Sequence, residues 1–473
     1  MADGSAAATV SQQLAAWLAR TTVADIPHAV VDDACWRLVD QVGVCIAGTR
    51  EESAGIVHRV AERMGGRAEA TALVYGTMLP APLAGWVNGT IGHGPDFDDM
   101  NGIAAVHISS VAVPAALAAA EAADASGERC MLALVLGGEI ALRIVSGAPP
   151  HQFHHRGLHG TGVGGPFAAA AIGAKIASLD AERSANALGM AGSRASGLMQ
   201  GLIDGTWVKR LHPGWAVEGG LMCALLAAEG YTGPPEVVEG KFGFFNALLH
   251  GDESTFDFDR IVEGLGDRWM LPGTTFKPWP NGVWNHASMD GAAAIVQRER
   301  LGVADIERID CYVPPICIPL VCEPREAKLN PRSAYHVKFS LPYSVAMLLV
   351  KGPVGVDDFT DEVARDPNTK ALAERVFCHA DESMAPDHFP ARVELTTCDG
   401  RLFVEDVPAQ RGDPGNPMRP DDHRGKFRRN VVPTLGVDQT DRLLASLEDS
   451  WNAESVRAIA ELAVRAPVTA PKR

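Results

Sequence analysis

The sequence predicts a mainly α protein: an all-helical domain plus an inserted, smaller α+β lid domain. Three observations carry this expectation. From Val10 to Glu229 the chain is a run of Ala-rich apolar segments with helical spacing, separated by short connections rich in Gly, Pro and Asp. After Pro272 the pattern changes to period-two alternation, at Ile306–Val313 and on both sides of Cys398-Asp399-Gly400. From Asp438 to Val464 the helical period returns. At 473 residues the chain exceeds what one ordinary core accommodates. The expected boundaries are residues 1–271 with 431–473 for the helical domain, and 272–430 for the α+β domain.

Taken in order, Val10 to Arg20, Pro27 to Ala47 and Ser53 to Met64 read as amphipathic helices, the third closed by Gly65-Gly66. Val111 to Ala123 and Cys130 to Val145 follow as buried helices, then Gly165 to Ser178, Ala181 to Met199 and Ala216 to Glu229. No repeat of fixed period connects them. In the second domain Ile306–Val313 is a strand. Ala391–Thr397 and Arg401–Val407 form a hairpin, because Gly400 accepts the positive φ of its turn. Helices are expected between them, at Ser340–Val350 and Lys370–Phe377.

Composition excludes several functions. A formal charge of -16 argues against nucleic acid, whose phosphates need a basic face. It does not forbid an anionic substrate, since a local group of Lys, Arg and His sets the potential of a pocket whatever the total. Nine cysteines without CxxC pairs fit reduced thiols and a cytoplasmic location better than a disulfide framework. Met1 to Ala16 lacks a basic start followed by an unbroken apolar run, so no signal peptide is expected. No segment approaches the roughly 18 uncharged apolar residues of a membrane span.

Chemistry concentrates in five stretches. The first is His93-Gly94-Pro95-Asp96-Phe97-Asp98-Asp99-Met100-Asn101, with His107-Ile108-Ser109-Ser110 after a spacer. Small apolar residues enclose this acidic run, which points to burial, and buried carboxylates need cationic or hydrogen-bonding partners. The second runs from His151 to Gly162 and includes Leu158-His159-Gly160-Thr161-Gly162, where glycines and a helix start suit the approach of an anion. The third, Trp207 to Trp215, holds Lys209, Arg210 and His212 before the helix expected at Ala216. The fourth is Phe276-Lys277-Pro278-Trp279-Pro280-Asn281 with His286, and the fifth joins Gly412 to Met418 with Lys426-Phe427-Arg428.

Five motifs in this order, Asp96-Phe97-Asp98-Asp99, His107-Ile108-Ser109-Ser110, Leu158 to Gly162, Lys209 to His212 and Lys277 to Pro280, resemble the MmgE/PrpD family of 2-methylcitrate dehydratase and cis-aconitate decarboxylase. The resemblance implies a homodimer of two-domain subunits, a helical domain plus a smaller lid, with the site between them and no metal required. It also implies that Asp96, His107, His159, Lys209 and Lys277 line that site. Ile108 and Gly160 stand where the family often has Pro, and Arg210 replaces a frequent Pro with a charge. Val321 to Pro331 lacks the tyrosine of the decarboxylase branch, which weighs against decarboxylation of cis-aconitate itself.

The residues suit proton abstraction next to a carboxylate. Lys209, Arg210 or Lys277 would pair with substrate carboxylates, and His107 and His159 are the base and acid candidates, in either order. Asp96 would orient or charge one of these groups, and His212 and His286 are further candidates for substrate binding. The expected function is a cofactor-independent hydro-lyase acting on a small anionic di- or tricarboxylate. An epimerase or isomerase and a decarboxylase are the alternatives in the same family, and a catalytically silent binding protein the alternative in another class. His151, His154 and His155 are expected in a solvated loop, without ligand spacing for a metal. Asp98 and Asp99 are expected to start a helix, and Cys311, Cys317 and Cys322 to be small core residues.

Overall fold

In the computed structural model, which describes residues 7–249 and 255–466, the apolar segments of the first half become helices packed around one another. The first residues of the Met1–Ala16 stretch and most of the tail after Val464 lie outside the described residues. The chain forms two compact units, one of Met1–Gly94, Ile103–Gly273 and His423–Arg473, and another of Pro95–Gly102 and Thr274–Asp422. The acidic motif Pro95–Gly102, placed by sequence with the helices, belongs to the second unit.

The helical unit begins with α1 (Val10–Arg20), whose Thr9 and Gln12 satisfy each other's backbone N–H groups as a capping box. There follow α2 (His28–Gly48), α3 (Glu52–Met64), α4 (Ala81–His93), α5 (Ser109–Ala122), α6 (Gly127–Ser146), a single turn α7 (Gln152–His155), α8 (Gly160–Ile176), α9 (Ala181–Gly192), α10 (Gln200–Asp204), α11 (Val208–Ala228), α12 (Phe244–Leu249) and α13 (Phe258–Val262). Two short strands, β1 (Ala70–Thr71) and β2 (Met78–Leu79), pair antiparallel, so this unit is not purely helical.

The α8 helix is buried on nearly every side, flanked by α5, α6, α9 and α11. Its closeness to α11 is a matter of side-chain size: a Cβ on Gly220 would run into the carbonyl of Pro166, and one on Gly165 would press on Ala216. Pro166 interrupts the α8 ladder by removing the donor that Gly162 O would otherwise receive. The N–H of Ser196 takes that place at 3.3 Å, which ties the segment after α9 to the start of α8. Two buried ion pairs brace the same unit, Arg143 with Glu139 at 2.7 Å and Lys426 with Asp40 at 2.7 Å.

The second unit is a four-stranded sheet in the order β6-β5-β7-β8. It also holds a short antiparallel pair in which β3 (Met100–Asn101) joins β4 (Thr274–Thr275), tying the acidic motif to the start of the later segment. The helices α14 (His286–Glu299), α15 (Arg325–Leu329), α16 (Ala334–Lys338), α17 (Leu341–Lys351) and α18 (Pro367–Ala373) accompany the sheet. The strand β5 (Ile306–Val313) pairs in parallel with β6 (Val376–Ala380) and antiparallel with β7 (Ala391–Thr397), and β7 pairs antiparallel with β8 (Leu402–Val407). The α14 helix lies so close to the sheet that a Cβ on Gly291 would meet Val393 at 2.9 Å. Returning to the helical unit, the chain forms α19 (Pro420–Leu435), α20 (Val437–Glu448) and α21 (Arg457–Leu462).

The mainly α class and the smaller α+β unit are therefore both present, and the differences from expectation are local. Phe377, expected at the end of a helix, lies in β6, because its neighbours gain the ladder of β5 and tertiary pairing overrides local propensity. The α9 helix stops at Gly192 rather than Met199, and α11 starts at Val208 rather than Ala216, with Pro213 inside it. The segment Asp438–Val464 breaks into α20 and α21. No helix among the described residues is long and apolar enough to cross a membrane.

Candidate functional site

Helix ends place the chemical groups of the helical unit. His93 is the last residue of α4, His107 stands just before α5, His159 caps the N-terminus of α8, and Lys209, Arg210 and His212 occupy the first turns of α11. All six are buried. The rings of His93 and His107 are 4.9 Å apart, those of His93 and His159 5.4 Å, and those of His107 and His159 5.8 Å. His159 and His212 face each other through their Nδ1 atoms at 3.1 Å. Four imidazoles thus form one buried group, and the ammonium of Lys209 acts on it electrostatically.

The small residues of the motifs hold this group together. The N–H of His107 donates to Thr161 Oγ1 at 2.9 Å, and Ser110 Oγ donates to the His107 carbonyl at 2.8 Å. A Cβ on Gly160 would collide with Ala105 O, and one on Gly162 with Ser196 O. These glycines therefore make room for neighbouring backbone, whereas the sequence suggested room for a ligand.

Burial and positive charge both disfavour the imidazolium form. His159 is held well below its ordinary value, first by burial, then by Lys209 and the three other histidines. His212 is pushed down to about 4 by burial and then by Lys209. His154, expected in a solvated loop, instead has a buried Nδ1 without a partner among the described residues, and its ring stands edge-on to His159 at 6.4 Å. Burial, then His151, Lys209 and His155, push it down to about 4. The cause is its neighbour Phe153, which anchors the α7 turn against Phe244 at 5.3 Å. His155 remains exposed.

Arg210 is less available than the sequence implied. Its Nη1 pairs with Glu51 at 3.0 Å and with Ser53 Oγ at 3.1 Å, tying α11 to the N-terminus of α3.

In the second unit Lys277 and Asp96 form a buried pair, Nζ to Oδ1 3.3 Å, and the same ammonium donates to the Asp96 carbonyl at 3.0 Å. Asp96 adopts a left-handed backbone with φ 58°, uncommon for a residue with a side chain. Lys338, a buried cation missed by sequence, donates to the Pro95 carbonyl at 2.6 Å. His286 is fully buried as the first residue of α14. Asp98 and Asp99 start no helix; they are buried in the loop that runs into β3. Asn281 Oδ1 and both polar side-chain atoms of Gln410 are buried without partners among the described residues, which calls for an explanation.

The structure therefore brings together His107, His159, Lys209 and His212 in the helical unit, and Asp96 with Lys277 in the second unit. His93 and His154 join the first set, although the sequence offers neither as a candidate site residue. The signal for His93 was its place in the acidic motif; for His154 only the fold reveals it.

Residues 12–257 match the N-terminal domain of the MmgE/PrpD family, and residues 279–452 match its C-terminal domain. The chain is 25% identical to a cis-aconitate decarboxylase-like protein of Aspergillus oryzae, over 97% of this chain and 98% of that one. It is 27% identical to cis-aconitate decarboxylase of Mus musculus, over 90% and 87%. Similarity to 2-methylcitrate dehydratase of Salmonella typhimurium is 26%, over 49% of each chain.

The depressed histidines make stability depend on pH with a definite sign. Each of His154, His159 and His212 has a folded pKa below the ordinary 6.5, so below that pH the unfolded chain binds more protons. Their contribution is present above about pH 6.5 and is lost as pH falls toward 4. The urea midpoint should drop between pH 7 and pH 5, and less steeply in His154→Phe. A midpoint level across that window in the native chain would contradict the assignment.

Proposed function

This chain belongs to the MmgE/PrpD family, and from that premise we propose that it is a lyase that removes a proton next to a carboxylate of a small di- or tricarboxylate. The observation that carries the reading is the buried group of His93, His107, His159 and His212 beside Lys209. The names of its relatives, decarboxylase and dehydratase, point the same way, because breaking a bond beside a carboxylate in either reaction leaves negative charge to be stabilised.

In the free protein burial, and then the positive charge of Lys209, make His159 and His212 weak bases. A substrate carboxylate paired with Lys209 cancels that charge, and the imidazoles regain basicity when there is a proton to take. One of His107 and His159 removes the proton, whose electron pair delocalises into the carboxylate. The other, in its imidazolium form, gives a proton to the departing hydroxyl, which leaves as water. Each charge-assisted contact with the substrate contributes roughly 1.5–3 kcal/mol. Lys277 is assigned to a second substrate carboxylate, Asp96 to orienting Lys277, and His286 to binding. Arg210, engaged with Glu51, is assigned to holding the first turns of α11 in place.

Decarboxylation is the second reading, favoured because the decarboxylase-named relatives of Aspergillus oryzae and Mus musculus match over 97% and 90% of this chain and the dehydratase of Salmonella typhimurium over 49%. A screen of hydroxy and unsaturated polycarboxylates, following alkene absorbance and carbon dioxide together, separates the two. The reaction as written uses no cofactor. A cytoplasmic location is proposed from the nine cysteines, all free.

With the substrate that the screen identifies, His107→Gln and His159→Gln should each lower kcat by roughly 10²–10⁴ with little change in KM. Lys209→Met should impair both kcat and KM, and EDTA should leave turnover unchanged. Near-normal kcat in both histidine variants would sink the assignment, and loss of turnover in EDTA restored by one divalent metal would show that the chemistry needs an ion.

A homodimer is also proposed, supported by Trp207, Trp215, Met222 and Leu225, large apolar side chains left exposed on or beside α11. Sedimentation at micromolar concentration should give twice the chain mass, and a monomer mass there would refute it.

A further inference from the structure

His159 and His212 are joined by a geometry that neither substrate binding nor burial alone accounts for. Their Nδ1 atoms lie 3.1 Å apart, a distance that requires a proton between two nitrogens that would otherwise repel through their lone pairs. Gly197 sets the distance. Its carbonyl accepts the N–H of His159 at 2.9 Å, and a Cβ added to it would stand 3.2 Å from Nδ1 and 3.3 Å from Cγ of the His212 ring. With φ +140°, residue 197 is in a region where side chains are rare. One glycine thus supports His159 through the backbone and His212 through the ring face.

The two outer nitrogens differ. His159 Nε2 is buried without a partner among the described residues, and His212 contributes no such stranded atom there. A stranded N–H is rarer in proteins than a stranded acceptor, so the proton on an outer nitrogen belongs to His212. That leaves His212 Nδ1 as acceptor and His159 Nδ1–H as donor, with a bare lone pair on His159 Nε2. We propose that His212 is a positioning residue: by accepting the Nδ1 proton of His159 it holds that ring in the tautomer whose Nε2 takes the substrate proton. The inference rests on the proton-abstraction reading above and deepens it, because it makes His159 rather than His107 the base. His93, His107, His154 and Lys209 are the other titratable groups acting on this pair in the helical unit.

The test combines kinetics with tautomer assignment by long-range ¹H–¹⁵N spectra of full-length protein labelled in its histidines. In the native chain His159 should show the Nδ1–H form. His212→Phe keeps ring bulk and loses the acceptor, so His159 should move to the Nε2–H form and kcat should fall roughly 10²-fold with KM changed less than about twofold. His212→Gln offers an amide oxygen in its place and should restore part of both signals; it also decides the matter if the Phe variant does not fold. A native His159 in the Nε2–H form, or normal kcat with unchanged tautomer in His212→Phe and His212→Gln, would overturn the proposal. His159→Gln separates the two levels of argument. If it turns over normally, the proton-abstraction reading fails whatever the tautomer. If it is inactive while the His212 variants are normal, only the role of His212 fails.

Discussion

The burial of several imidazoles beside one ammonium is the constraint on which the rest of the helical unit depends. Charge of one sign concentrated away from water is unstable, and the lowered basicity of His154, His159 and His212 relieves it. Neutral imidazoles still require hydrogen-bond partners, and the rings of His159 and His212 meet that need in each other, while Thr161 Oγ1 and the Gly197 carbonyl hold the backbone N–H groups of His107 and His159. The depressed basicity that results comes first from burial and then from Lys209, so an anion paired with Lys209 removes the second of these causes.

Small residues let helix ends converge closely enough for this. Gly160 and Gly162 admit the carbonyls of Ala105 and Ser196, and Gly165 and Gly220 let α8 and α11 approach each other. The motif glycines are thus packing devices that set distances between histidines. In the second unit the corresponding device is electrostatic, with the strained backbone at Asp96 held by Lys277 and the neighbouring Pro95 carbonyl by Lys338.

How much of this is legible in the sequence differs by scale. Apolar periodicity, helical for α1 and alternating for β5 and β7, locates these three elements to their end residues, because each buries one face and carries clear boundaries. It misses α4 and α14, where small residues and glycines blur the apolar stripe, and misreads β6, whose partner β5 lies far away in sequence. The chemical residues are recognisable as motifs. Their local settings are not: that Arg210 is taken by Glu51, that His154 turns inward on the anchor of Phe153, and that Gly197 bears on both His159 and His212 depend on contacts between distant segments.

The central claim is that a neutral, buried His159 removes a proton next to a substrate carboxylate. Incubation in D₂O with recovery of the unreacted substrate tests it directly. Deuterium should appear at one carbon beside a carboxylate with the native chain, and at least about a hundredfold more slowly with His159→Gln. Incorporation at the native rate in that variant, or turnover in the native chain with no exchange and no isotope effect from a substrate deuterated at that carbon, would contradict it.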